Sequence, residues 1–264
     1  MKKEPSMNLV RQSWVIFTER HLRELYRRPI VIFMALLQPI IWLLLFGALF
    51  KEVAKIPGFG SGNYITYLTP GVVIMTAIFG SSWTGMTYIE DMQTGVLDRM
   101  LTAPVIRAAM TTAMLAYQAV ISIIQSIIII AIGWGIGATF GGGAAGIVVL
   151  IAVSVLIALA MAGLSMGFGL LTRQREALIG ASTTLVLPLT FLSGAFLSLH
   201  LVPNWIASVA RYNPVNWAAS AGRIAVQAAP AWGTIGSYTG FLAIAAGISA
   251  FAATRAFRTY QRSF

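Results

Sequence analysis

AAMTTAMLAYQAVISIIQSIIIIAIGWGIGATFGGGAAGIVVLIAVSVLIALAMAGLSMGFGLLT, residues 108–172, holds not one Asp, Glu, Lys or Arg. Gly141-Gly142-Gly143 divides it, because three glycines have neither the propensity nor the side chains to continue a helix. The run on either side exceeds the roughly 20 apolar residues that a helix needs to cross about 30 Å of hydrocarbon. The stretch therefore reads as a helical hairpin through a membrane, with spans at 111–139 and 144–171. Arg173, Arg175 and Glu176 close the hairpin on the side where it began.

The rest of the chain has the same character. Of its 264 residues 58% are apolar and only 10% charged, and the mean hydropathy is +0.80. Soluble domains carry about 25% charged residues, so an ordinary soluble globule is excluded. There is no cysteine, which excludes disulfides, thiol chemistry and cysteine-ligated metals. The net charge of +10 is not the footprint of a nucleic-acid partner. Its cations stand at the ends of apolar runs rather than on one basic face, as topology determinants and anchors for anionic lipid do.

Working outward, residues 1–29 form a basic lead. Val10, Trp14, Phe17, His21 and Leu25 share one helical face, with Arg20 and Arg23 mostly elsewhere, so the lead is expected to form an amphipathic elbow helix in the headgroup layer. Arg28-Pro29 ends it. No cleavable signal peptide is expected, since the first apolar run begins only near Ile30, after this charged lead. Further spans are expected at 30–50, with Gln38-Pro39 as a kink, and at 67–88. Two more follow at 177–199, with Pro188 at its middle, and at 232–253. Between the last two, 200–223 is less apolar and carries Trp205, Tyr212 and Trp217, an interfacial aromatic belt.

Six spans place both termini on one side. Of the 18 Lys and Arg, only Lys51, Lys55, Arg211 and Arg223 then fall on the other side. The positive-inside rule makes the terminal side cytoplasmic.

The spans so drawn contain no Asp, Glu, Lys or Arg. An intramembrane charge costs about 2.5–3.5 kcal/mol on insertion scales and is retained mainly for function. Without such relays, ion-driven transport is the weaker reading, although backbone carbonyls at helices broken by Pro39 or Pro188 keep an ion-coupled secondary transporter open. His21 and His200 are too far apart in this topology to act together. The Gly-rich Gly58–Gly62 lacks the Lys-Ser/Thr of a phosphate loop. The chain is therefore not expected to be an enzyme or to hydrolyse ATP itself.

Glu90–Arg107, EDMQTGVLDRMLTAPVIR, is a polar island between apolar runs, and it holds three of the chain's carboxylates, Glu90, Asp91 and Asp98. Asp91 is expected to cap a short helix. Val96, Leu97, Met100 and Leu101 form a ridge one turn long, Asp98 and Arg99 face elsewhere, and Pro104 stops the helix. Such a helix either slots into a groove on a soluble subunit or lies on lipid.

The pattern Glu90-Asp91-x-x-x-Gly95-Val-Leu97-Asp98-Arg99-x-Leu101-x-x-Pro104 resembles the cytoplasmic segment after the second span of ABC-2 type ABC exporter permeases. A second block also resembles that family: Phe191-Leu-Ser193-Gly194-Ala-Phe196, Pro203-x-Trp205 and Asn213-Pro214-Val-x-Trp217. Together with the lead helix and the six-span plan, the likeness covers essentially the whole chain and is nearest to the daunorubicin-resistance type. Gln93-Thr94 departs from the common pattern, in which a charged residue often precedes the glycine.

The resemblance implies an all-α polytopic membrane protein: a lead over 1–29 and a six-span domain over 30–264. It implies a coupling helix at 90–104 that docks on an ATPase, and a re-entrant external segment at 200–223 that includes Pro203, Trp205, Asn213 and Pro214. It assigns coupling to Glu90, Asp91, Gly95, Leu97, Asp98, Arg99 and Pro104, supported by Trp14, Phe17, Arg20 and Arg23 of the elbow helix. The implied partners are an ABC ATPase subunit, a second copy of this chain and membrane lipids, with no nucleic acid. ATP and Mg belong to the ATPase, and this chain binds no cofactor or metal. The implied place is the bacterial cytoplasmic membrane. Phe33, Gln38, Trp42, Phe79, Trp83, Phe191 and Phe196 offer an apolar, aromatic translocation path, which suits amphipathic drugs or lipids. A polysaccharide or lipo-oligosaccharide is the alternative cargo.

Overall fold

The computed structural model describes residues 29–51, 63–96, 107–196, 199 and 202–261. The elbow residues Trp14, Phe17, Arg20 and Arg23, and Leu97, Asp98, Arg99 and Pro104 of the island, lie outside the described residues.

Every regular element among the described residues is a helix. In chain order these are α1 (Pro29–Leu49), α2 (Tyr64–Ser81), α3 (Gly85–Gln93), α4 (Arg107–Gly135), α5 (Gly143–Thr172), α6 (Arg175–Phe191), α7 (Asn204–Ala210), α8 (Pro214–Ala225) and α9 (Trp232–Gln261). Four stretches are long and apolar enough to cross a membrane: Tyr64–Gln93, Met110–Gly135, Gly143–Thr172 and Trp232–Phe257. α1 and α6 are apolar as well, at 21 and 17 residues.

α5 is the hub. It packs against α9, α4, α8, α2 and α3, while α1 lies outside against α2 and α4. The main core joins Leu68 and Val72 of α2, Ile129 of α4, Ile157 of α5 and Val215 of α8. A smaller core at one end gathers Tyr88, Met110, Met114, Met166 and Phe257. Outer faces are apolar too: Phe33, Met34, Ile41 and Leu45 of α1 and Ile244, Ile248 and Phe251 of α9 are exposed. A surface of that kind belongs in lipid.

The two ends of the bundle differ. One carries Glu90, Arg173 and Arg175. At the other, Asn63 Nδ2 donates to the Gly137 carbonyl at 2.8 Å and Phe50 meets Tyr64 with ring centroids 5.6 Å apart.

Four expectations about boundaries are corrected. The helix expected as the third span, 111–139, runs instead over Arg107–Gly135, and Gly137 at φ 104° lies in the connection that follows it. The helix expected as the second span begins earlier and ends later than 67–88: Asn63 caps it through the Ile65 N–H at 3.0 Å, and after a break at Ser82–Thr84 it resumes as α3 and runs to Gln93. Asp91 is therefore not an N-cap. It sits in the last turn of α3, which Thr94 caps and Gly95 ends at φ 66°, the left-handed geometry in which glycine has no Cβ penalty. The helix expected as the fifth span stops at Phe191, not 199, because the Ser193 hydroxyl donates to the Thr190 carbonyl at 2.6 Å and Asn213 donates to those of Leu189 and Leu192. The helix expected as the last span is longer than 232–253, since α9 continues to Gln261 past Arg255.

The break between α2 and α3 has a local cause. Ser81, Ser82 and Thr84 each turn the hydroxyl back onto a carbonyl of the preceding turn at 2.7 Å, and such bonds compete with the helical ladder and bend it. Ser165 of α5 then fills the gap, donating to the Ser82 carbonyl at 2.6 Å and accepting from the Gly85 N–H at 3.0 Å.

Candidate functional site

Two polar constellations stand out against the apolar bundle, one at each end. The first lies where α3 ends. Arg175, the first residue of α6, donates through Nη2 to Glu90 at 2.9 Å and through Nε to the Gln93 Oε1 at 3.1 Å. One guanidinium thus grips two side chains one turn apart on α3. The pair is open to water, with side-chain exposures of 39% for Arg175 and 57% for Glu90. Arg173 ends α5 in the left-handed region at φ 56°. The short turn to α6 therefore brings the start of α6 against the end of α3.

Of the residues expected to couple, Glu90 sits in this clasp, Asp91 is half-buried beside it and Gly95 terminates the helix. Arg175 was legible only as a topological cation. Its role here arises from the three-dimensional meeting of two segments far apart in sequence.

The second constellation holds the turn Leu192–Phe196. Tyr64 and Tyr67 of α2 donate their hydroxyls to the carbonyls of Phe196 (3.2 Å) and Gly194 (2.9 Å). Asn216 accepts from the Gly194 N–H at 3.1 Å. Arg223 donates through Nη2 to the Ala195 carbonyl at 2.6 Å and through Nε to the Tyr67 carbonyl at 3.1 Å, and its guanidinium lies 3.8 Å from the Tyr67 ring centroid. Gly71 lets this turn come close, because a Cβ there would overlap the Ala195 carbonyl.

Asn213, expected in the external segment, is the keystone of this clamp. Buried, it caps α8 by accepting from the Val215 N–H at 2.9 Å and donates to the Leu189 and Leu192 carbonyls at 2.7 and 3.0 Å. Pro214 occupies the first turn of α8, and Pro203 precedes α7. Trp205 is 61% exposed. Tyr64, Tyr67, Asn216 and Arg223 were missed as a set. Their only sequence signal was a polar side chain at each position of otherwise apolar helices.

The residues expected along a translocation path separate. Trp42, Phe191 and Phe196 meet, with centroids of Trp42 6.2 Å from Phe191 and 5.6 Å from Phe196, and Phe46 joins them 5.4 Å from Phe196. Phe33 and Gln38 face outward from α1, Phe79 packs on the main core, and Trp83 lies in the α2–α3 break. Inside the bundle α4 also buries Gln118, Ser122, Gln125 and Ser126, and Ser154 of α5 bonds Ser126 at 2.7 Å.

The chain matches the ABC-2 type transporter family over residues 12–226. It is 30% identical over 207 residues to the putative transport permease ycf38 of Cyanophora paradoxa, which covers 78% of this chain and 71% of that protein. It is 24% identical over 237 residues to the daunorubicin resistance ABC transporter permease protein DrrB1 of Streptomyces coeruleorubidus, covering 88% and 80%. The probable doxorubicin resistance ABC transporter permease protein DrrC of Mycobacterium tuberculosis is 24% identical, with coverage of 78% and 74%.

Proposed function

The chain belongs to the ABC-2 type transporter family, multi-pass membrane subunits of ABC transporters, and from that premise we propose that it is the permease of an ATP-driven exporter. Energy comes from a separate ATPase subunit, which holds the ATP and Mg. Two copies of the chain form the membrane unit, six spans each, with both termini on the ATPase side. The setting is the cytoplasmic membrane of a bacterium. The outer segment 200–223 re-enters the membrane as short helices.

The observation that carries this reading is the clasp of Arg175 on Glu90 and Gln93. It joins the end of the second span, from which the island emerges, to the turn that begins the fifth. A push on the island at 90–104 is thereby delivered to α3, α5 and α6 together rather than to one frayed helix end. Rigid-body movement of packed elements is the usual way that small shifts at one site become large ones elsewhere.

An amphipathic, aromatic-bearing cargo is the class that fits. The cluster Trp42, Phe46, Phe191 and Phe196 sits where α1 meets the end of α6, and flat rings offer stacking without directional hydrogen bonds. Two of the relatives are named for resistance to daunorubicin and doxorubicin, which supports the same choice.

The test is purification of the tagged chain from native membranes, followed by an ATPase assay of the eluate. A nucleotide-binding subunit at equal stoichiometry, with hydrolysis sensitive to vanadate, is the expected result. A pure chain without ATPase, taken from membranes in which efflux is active, refutes the proposal.

A further inference from the structure

Beside the turn clamp, at the end of the bundle opposite Glu90, lies a cavity of about 360 Å³. Thr66 and Tyr67 of α2, Thr139 and Gly141 of the α4–α5 connection, Arg223 of α8 and Gln227 line it. Its far wall is fixed by close packing: the Gly142 N–H bonds the Val226 carbonyl at 3.0 Å, and a Cβ on Gly141 would press on the Ala228 backbone.

Among the described residues the cavity has donors and a charge but no countercharge. Arg223 spends Nε and Nη2 on the carbonyls of Tyr67 and Ala195. Among the described residues it meets no carboxylate, and its Nη1 makes no hydrogen bond. Two carbonyl dipoles and a ring face solvate a guanidinium without neutralising it, and a part-buried cation is normally matched by an anion. Across the cavity the Thr66 and Thr139 hydroxyls share one bond at 3.3 Å, and Thr66 also accepts the Thr139 N–H at 3.0 Å. Two hydroxyls that share one proton between them leave the other free to donate. Gln227, exposed at the rim, adds an amide.

We propose that this cavity binds a phosphate oxyanion, carried either by a lipid headgroup or free in solution, with Arg223 as its counter-ion and Thr66, Thr139 and Gln227 as neutral donors. A guanidinium prefers oxyanions because its N–H groups match their spacing. The cavity's apolar neighbours and its place at a bundle end suit a headgroup whose chains lie along the helices. The site lies at the end of the bundle opposite Glu90 and the island, so it stands whether or not an ATPase drives the chain.

The test is thermal stabilisation and titration of the full chain in a nonionic detergent with three probes: dihexanoyl phosphatidate, dihexanoyl glycerol and inorganic phosphate. Phosphatidate should bind about tenfold or more tightly than the glycerol, whose chains match but which lacks the oxyanion, a difference readily carried by one charge-assisted contact. Gln227→Glu places a carboxylate in the cavity while leaving the bonds of Arg223 to Tyr67 and Ala195 intact. It should weaken phosphatidate binding about tenfold, the same energy scale in reverse, while the melting temperature without ligand is not lowered, because the new carboxylate meets the charge of Arg223. Thr66→Val, which adds no charge, should weaken it less. If inorganic phosphate binds and is lost in Gln227→Glu, the source is a free anion; if only phosphatidate binds, it is a lipid. Equal binding of phosphatidate and glycerol overturns the proposal, as does wild-type phosphatidate binding in both variants.

Discussion

Ser165 bonds Ser82 across the break between α2 and α3, its hydroxyl donating to the Ser82 carbonyl at 2.6 Å while accepting from the Gly85 N–H at 3.0 Å. In Ser165→Ala the Ser82 carbonyl keeps a second donor, Ser182, at 3.0 Å, but this partner of the Gly85 N–H is gone. An unsatisfied buried donor costs about 1–3 kcal/mol. Ser182→Ala removes only one of two donors to a carbonyl and should cost well under that. Melting temperatures of the two variants in one detergent, with Ser165→Ala clearly the lower, are the expected result. Equal losses would show that the break is held by packing alone.

The glycines separate by what surrounds them. A Cβ at Gly85 would overlap the Ser165 carbonyl and one at Gly71 the Ala195 carbonyl, so Gly85→Ala and Gly71→Ala must force helices or turn apart. Overpacking of this kind costs about 1–3 kcal/mol. Gly180 of α6 has nothing within 4 Å of its Cβ position, and Gly180→Ala should raise helix stability by about 0.5–1 kcal/mol. Unfolding of the three variants by a denaturing detergent checks the opposite signs. A destabilised Gly180→Ala would mean that this face of α6 is covered by another chain.

Much of this bundle was legible because a span announces itself by length and lack of charge. The hairpin 108–172 came out as α4 and α5, although the connection is longer than its three glycines and runs over residues 136–142. Hydropathy says little about where a helix stops inside an apolar run, and that is where the expected boundaries moved. Pro188 lies in the last turn of α6, and it is Asn213 and Ser193, reached through folding, that stop the helix. Asp91 was misplaced for a related reason: a polar residue after an apolar run can end one helix as readily as begin another. Arg175 and Arg223 were read only through their charge, because a sequence gives sidedness but not which carbonyl or carboxylate a guanidinium will reach. The period of Gln118, Ser122, Gln125 and Ser126 along one face of α4 was available and pointed inward.

The clasp between Glu90 and Arg175 should matter more to coupling than to stability. Exposed ion pairs contribute about 0–1 kcal/mol, and both side chains are over a third exposed. Glu90→Gln should therefore melt near the wild-type temperature yet lose efflux. The reversed pair Glu90→Arg with Arg175→Glu should recover part of it, and each single reversal should not. Drug accumulation in cells expressing each variant, compared with the ATPase rate of the purified complex, reads this directly. Normal efflux in both single reversals would remove the clasp from the mechanism.

Asn213 provides the sharpest test of the turn Leu192–Phe196, because its two functions can be separated by one atom. Its Oδ1 caps α8 through the Val215 N–H, and its Nδ2 holds the Leu189 and Leu192 carbonyls. Asn213→Asp keeps the cap, which is worth about 1 kcal/mol, but an ionised carboxylate cannot donate and would face two carbonyls. Asn213→Ala loses both functions without introducing a charge. The expected order of melting temperature is wild type, then Ala, then Asp, with the Asp variant recovering toward Ala as pH falls and the carboxyl gains a proton that it can donate. The sign follows from burial beside acceptors, which favours the protonated acid: its folded-state pKa lies above the unfolded value, so the penalty appears as pH rises through the unfolded pKa and grows up to the folded one. A melting series from pH 4 to pH 8 checks it. An Asp variant as stable as wild type throughout would show that the carbonyls of Leu189 and Leu192 find other donors and that the turn does not depend on this side chain.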